Sequence, residues 1–370
     1  MRTLALDPAT PVPRAAGRAR VLALAAAFAA SWVGATAAAE PAAPHAELKL
    51  SVAVAPIYPL GAAAKAWGDA LNEPALDLGV RLFPGATLAN RHASEEFAAL
   101  RAGGIDLAVG STLQWSDALA SLAVFSLPWN VPDNAQLRAV TGDADVEARL
   151  ATILEAEGVT LVALAPLRHR DLATQSRVVA SPADVEGLRV RVTGPKLVTD
   201  TYVALGAQPT GLALEDARNA LQAGTLDGQD QSAVALVSAR AWATGTHHVV
   251  QWGAFANAMI FVVRRALWQA WPEATRERVR IAARKAADAA QASAREHAAH
   301  AELARNGVVV TRMTPAGHAA FRARVDAVYA KWLPTIDGGL VEAVGRATRR
   351  AASNAAGSKP DVPARAQPST

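Results

Sequence analysis

The chain is 370 residues long, 51% apolar and 19% charged, with a formal net charge of +4 and no cysteine. That length suits about two soluble domains, and the missing cysteines exclude disulfides, thiolate catalysis and Cys-based zinc or iron–sulfur sites together. Arg2, Arg14, Arg18 and Arg20 against Asp7 put most of the net positive charge in residues 1–39. The rest is near +1, without the basic patch and interleaved aromatics of a nucleic-acid binder.

Residues 1–39 read as a secretory leader: the arginines form a positive n-region, 21–33 is a short apolar run, and Ala37-Ala38-Ala39 ahead of Glu40 fits a cleavage site. The competing reading, an uncleaved anchor, needs a longer apolar run. An exported chain without disulfides depends on its core, and this one is long enough to bury a large one.

After a linker at 40–47, residues 48–55 alternate as a first strand. Tyr58-Pro59-Leu60-Gly61 makes a turn, followed by an Ala-rich helix to about Leu71. A second strand at 80–84 ends on Pro84, a helix at 94–102 is capped by Gly103-Gly104, and 105–109 is a third strand. This β-α-β-α-β pattern with short loops predicts a parallel sheet covered by helices. Next come an apolar loop at 125–129, a helix at 146–157, strands at 160–165 and 188–192, and a helix at 212–223 closed by Gly224. The chain returns through 249–263, with a strand at 259–263. Residues 272–306 form one long helical pattern, started at Pro272 and stopped by Asn306-Gly307. A short strand at 308–310 and a final helix at 315–333 complete the fold. The expected division is a leader at 1–39, α/β domains at 40–165 and 166–250, a return strand with the long and final helices at 251–355, and a disordered tail at 356–370.

Ligands in such sheets bind at the carboxyl ends of strands and between domains. In Leu188-Arg189-Val190-Arg191-Val192 the two arginines share one strand face, and Arg191 is nearer the carboxyl end. Its planar fork suits a carboxylate; a surface salt bridge to Asp184 or Glu186 is the alternative. Leu167-Arg168-His169-Arg170-Asp171 is expected as a loop past a strand end, either supplying a second anion contact or simply solvated. His247 and His248 are adjacent on a strand and so point apart, which disfavours a shared metal ion. The chain has no Gly-x-Ser-x-Gly elbow, phosphate loop or dinucleotide fingerprint. Asp227 and Asp230 have no identifiable acid or base partner. The expectation is binding without catalysis, cofactor or metal.

From Ser51 to about Leu333 the sequence resembles the DctP-type solute-binding proteins of TRAP (tripartite ATP-independent periplasmic) transporters. The resemblance rests on Tyr58-Pro59-Leu60-Gly61, Phe83-Pro84-Gly85-Ala86-Thr87-Leu88, Leu100-Arg101-Ala102-Gly103-Gly104-Ile105-Asp106 and Ser181-Pro182-Ala183-Asp184-Val185-Glu186-Gly187-Leu188-Arg189-Val190-Arg191-Val192. Leu205-Gly206-Ala207-Gln208-Pro209 and Ala220-Leu221-Gln222-Ala223-Gly224-Thr225-Leu226-Asp227-Gly228-Gln229 complete it. It implies an α/β, two-domain periplasmic binding protein of the type II kind, with a long domain-spanning helix and a ligand cleft between domains that close over a small organic acid. Arg191 stands where the family's carboxylate-binding arginine stands, and Arg170 falls near a second arginine of sialic-acid and sugar-acid binders. Gln231 replaces the Asn of the family's Asp-Gly-x-Glu-Asn-Pro signature. Tyr58 replaces a common His, and Ser111-Thr112 stands where sugar-acid binders often carry an acidic residue. Tyr58, Asn90, Ser111 and Gln231 would then hydrogen-bond the remainder of the ligand. The implied partners are the small and large membrane subunits of a TRAP permease, in the periplasm. A ligand sensor for a chemoreceptor or sensor kinase, and an exported hydrolase, are the competing readings.

Overall fold

The computed structural model describes residues 47–212, 214–293 and 296–357; the expected leader and nearly all of the expected tail lie outside them. One nine-stranded sheet organises the described residues. Its strands are β1 (Leu48–Val52), β2 (Val80–Pro84), β3 (Leu107–Ser111), β4 (Val159–Thr174), β5 (Arg189–Val192), β6 (Gln208–Gly211), β7 (Gly228–Gln231), β8 (His248–Arg264) and β9 (Val309–Arg312). Their spatial order is β2-β1-β3-β8-β4-β7-β5-β6, with β9 also on β8.

The sheet has two halves. β2, β1 and β3 run parallel in the first; β7, β5 and β6 run parallel in the second. β4 and β8 pair antiparallel with each other through both halves, from Val159 opposite Arg264 to Thr174 opposite His248. β8 spans both because it is an almost unbroken apolar run, buried on both faces. The pair bends at three register shifts, between Leu161 and Ala163, Pro166 and Arg168, and Arg170 and Leu172. At Gly253 φ is 61°, and a Cβ would stand 2.5 Å from the Pro132 carbonyl oxygen, so only glycine fits this point of β8.

Helices cover both faces. On one, the helices Pro59–Leu71 and Glu273–Ser293 bury Trp67, Val279 and Ala283 with Phe261 against the first half, Trp67 meeting Phe261 edge-on at 5.3 Å. On the other, a larger core joins Phe97, Trp115 and Phe125 to Tyr202, Trp252 and Phe255. The helix Glu296–Arg305 packs Leu303 with Leu236 and Val249 in the second half. The long helical pattern at 272–306 therefore touches both halves, in two described pieces.

Three expectations change. Residues 167–171 are not a loop; they continue β4, with Arg168, His169 and Arg170 opposite Asn257, Ala256 and Phe255. Charged residues belong in this strand because each charge has a partner. The His169 ring bonds Asn134 Oδ1 at 2.9 Å and the Val131 carbonyl oxygen at 2.6 Å, and Asp171 meets His300 at 2.7 Å. The final helix at 315–333 is two helices, Pro315–Ala323 and Asp326–Trp332. A further helix, Gly338–Gly357, runs through the end of the last expected segment and buries Leu340, Ala343, Val344 and Ala347 at helical spacing. The expected domain limits at 165 and 250 fall inside β4 and β8.

Candidate ligand site at the converging strand ends

Strand register brings two sets of carboxyl ends toward each other. β3 ends with Ser111 opposite Met259 of β8. β7 ends with Gln231 opposite Asp171 of β4, next to Arg170, which pairs with Phe255 of β8. The first-half strands thus stop near residue 259 and the second-half strands near residue 255, coming from opposite directions. Along β8 the two sets of ends are offset by four residues, roughly 13 Å, with β8 and β4 lying between them. Residues past these ends face a shared gap, where a sheet of this kind takes its ligand.

The second-half side of the gap is charged. Arg191, only 5% exposed, lies in β5, opposite Gln229 of β7. Its Nε donates to the Leu212 carbonyl oxygen at 2.9 Å, while its buried Nη1 has no partner among the described residues. Burial, then the positive charge of Arg170, lowers its pKa to about 10, with Asp230 pulling the other way. Arg170, 6% exposed, donates from Nε to Asp230 Oδ1 and from Nη2 to the Asp230 carbonyl oxygen at 2.6 Å. The other Asp230 oxygen accepts the Tyr202 hydroxyl at 3.1 Å. Burial, then the Asp230 charge, drives the Tyr202 phenol well above its ordinary pKa, so it stays neutral and donates. Asp230 thus neutralises Arg170 and has both carboxylate oxygens occupied. Arg191 is left as one excess positive charge, out of water, which is unfavourable until an anion arrives.

Arg189 shows that its neighbour is not a structural ion pair. Arg189 forks onto Asp227, Nε to Oδ2 at 3.0 Å and Nη2 to Oδ1 at 2.6 Å. Glu186 is taken by Arg324 at 2.9 Å, and Asp184 caps its own turn. None of these carboxylates meets Arg191.

The first-half side is neutral. Asn257 Oδ1 accepts Ser111 Oγ at 2.9 Å, Thr112 Oγ1 at 3.3 Å and the Leu113 N–H at 3.3 Å, stapling the end of β3 to β8. Tyr58, half-buried, precedes the helix Pro59–Leu71 and makes no side-chain cap. Gln231 is half-buried at the tip of β7, its Oε1 accepting the Ser232 N–H at 3.1 Å. The structure therefore gathers Arg170, Arg191 and Gln231 at one set of strand ends and places Ser111 at the other. Asn90 is exposed in a left-handed turn (φ 51°), its amide donating to Glu95 at 3.0 Å. Sequence reading missed Asp230 as a counter-ion, and Tyr202 and Asn257 altogether. The signal for Asp230 is Gly228-Gln229-Asp230-Gln231, a buried strand without an apolar side chain.

Two parallel-sheet halves joined by long shared strands, with an anion-seeking cluster where their ends meet, define a two-lobed ligand-binding protein. The model of the bacterial extracellular solute-binding protein family 7 (DctP) matches residues 50–335, and the chain belongs to that family. It is similar to a TRAP periplasmic solute-binding protein from Ralstonia eutropha, solved with bound (S)-2-hydroxy-2-methyl-3-oxobutanoate. The two are 33% identical with a TM-score of 0.76, over 82% of this chain and 99% of that one. It is 27% identical to a solute-binding protein of Verminephrobacter eiseniae, over 68% of this chain and 75% of that protein. It is 25% identical to the C4-dicarboxylate-binding periplasmic protein DctP of Rhodobacter capsulatus, over 67% and 74%. No helix among the described residues is long and apolar enough to cross a membrane.

Proposed function

We propose that this chain captures a small organic acid between its two lobes in the periplasm and hands it, chemically unchanged, to the membrane subunits of a TRAP-type permease. Export would use the leader at 1–39. The observation that carries the reading is the buried, uncompensated guanidinium of Arg191 at the meeting of the strand ends. A ligand carboxylate supplies the missing counter-charge and the missing acceptor at once. Because those interactions exist only with the lobes together around the acid, the acid selects the closed arrangement. Arg170 forms the rim of the site while holding Asp230, Gln231 and Tyr58 are the polar groups from which the rest of the ligand is held, and Ser111 shapes the opposite wall through Asn257.

The acid bound by the Ralstonia eutropha protein, the most identical of the relatives above, makes small oxygenated carboxylates the first compounds to test. Purified protein is expected to gain thermal stability with at least one acid from a panel of hydroxy, oxo, sugar and C4-dicarboxylic acids, and to release that acid unaltered. Stabilisation by none, or conversion of the acid to product, rejects the reading.

A further inference from the structure

One residue beyond the end of β5, Thr193 repeats the situation of Arg191. Its hydroxyl oxygen is buried and has no partner among the described residues. One residue, Val192, separates it from Arg191, an i, i+2 spacing that in extended backbone puts both side chains on the same side. A buried hydroxyl normally takes a carbonyl, a carboxylate or a water, and leaving it bare is unfavourable. Two buried atoms without a partner, one cationic and one a neutral donor, can give hydrogen bonds to oxygen atoms at this strand end. Thr193 sits at the carboxyl end of its strand, the edge on which the second-half groups already converge.

Charge narrows the occupant. Asp230 cancels Arg170, so the cluster carries one unmatched positive charge. A single carboxylate cancels it. A second carboxylate on the same ligand would meet the neutral Ser111–Thr112–Asn257 network on the opposite side, whose hydroxyl hydrogens are already given to Asn257 Oδ1, while Arg168, the cation in register with Asn257, already has a partner. A dianion would therefore enter with one charge uncompensated, which is expensive away from water.

We propose that Thr193 is a further ligand-contacting residue, and that Thr193 and Arg191 together receive the one carboxylate of a monoanionic acid. This rests on the organic-acid reading above and refines its substrate class. Removing the hydroxyl removes a bond to a charged group and no bond within the ligand-free protein. Thr193→Val is thus expected to lower affinity while leaving the unliganded protein as stable as wild type or more so, a split that a purely structural hydroxyl does not give. Thr193→Ser keeps the hydroxyl and is expected to keep the affinity.

The test is calorimetric titration of the full mature chain with lactate, 2-hydroxyisobutyrate, 2-oxoisovalerate and pantoate, against succinate and malate, followed by thermal unfolding of both Thr193 variants. The expected result is binding of at least one monocarboxylate and weaker binding of both dicarboxylates. Thr193→Val should bind that monocarboxylate about ten- to a hundred-fold more weakly, with Thr193→Ser near wild type. Binding of a monocarboxylate with equal affinity by wild type and Thr193→Val overturns the role of Thr193 and leaves the organic-acid reading standing. Tighter binding of a dicarboxylate overturns the charge count in the same way. Binding of none of these acids, nor of any in the wider panel, overturns the organic-acid reading and this inference with it.

Discussion

The two sets of strand ends that face each other across β4 and β8 are built on opposite plans. On the first-half side, Ser111, Thr112 and the Leu113 N–H converge on Asn257 Oδ1, and the result is a neutral staple. On the second-half side Arg170, Asp230 and Tyr202 satisfy one another, but Arg191 and Thr193 are left with buried atoms that the protein does not serve. Closed networks hold geometry, whereas open ones hold ligands. On the proposed reading, the charged side recognises the acid's carboxylate and the neutral side supplies a preformed wall for it.

Breaking the closed part of the charged side should have the largest effect on stability. Asp230→Ala leaves two buried guanidinium groups facing each other and strips the Tyr202 hydroxyl of its acceptor. Losing one partner of a buried pair costs about 3–5 kcal/mol, so the urea midpoint should fall sharply. A midpoint close to wild type would mean that Asp230 is not the counter-ion of Arg170.

A smaller effect is expected beneath the neutral side, at Glu96. This carboxyl is fully buried under the first-half strands, where Ser51 donates to it at 2.6 Å. Burial raises its pKa to about 7, partly offset by the hydrogen bond from Ser51. The folded protein therefore holds a proton there that the unfolded chain gives up above its ordinary pKa of 4.5. The resulting stability is fully present below about pH 4.5 and is lost progressively as pH rises to about 7, up to about 3 kcal/mol in all. Glu96→Gln should flatten that part of the stability–pH curve, and an unchanged slope would place the proton elsewhere.

Smallest of all should be the effect of removing the exposed ion pair beside the site. Arg189→Met severs a partly solvated fork to Asp227 and is expected to leave ligand affinity unchanged. A large loss of affinity would make Arg189, and not only its neighbour, part of the recognition surface.

Much of the first half is legible in the sequence because its strands are short, apolar and separated by Ala-rich helices and glycine caps. The second half hides itself. β7 is Gly-Gln-Asp-Gln, with no apolar residue to mark it as a strand. In the continuation of β4, Arg170 is buried because Asp230 pairs its charge, and His169 because a carbonyl far away in sequence meets its ring. The helix Gly338–Gly357 does carry a periodic signal in Leu340, Ala343, Val344 and Ala347, but it begins on two glycines that disguise its start. At the site, Arg191 is set apart from Arg189 by its place nearer the carboxyl end of the strand, a local property legible in the sequence. Tyr202 and Asp230 could not be joined, since 28 residues separate them and only the packing of the helix Lys196–Ala204 on the sheet brings them together.

The central claim is that Arg191 is held out of water for a ligand's carboxylate. It is tested most directly by comparing Arg191→Met with wild type in two measurements on the same preparation: thermal unfolding without ligand, and calorimetric titration with the monocarboxylate that wild type binds best. The account predicts an unliganded protein at least as stable as wild type, because a buried unpaired charge has been removed, and affinity reduced at least about a hundred-fold. Affinity within a few-fold of wild type, or a variant that fails to fold, would contradict it.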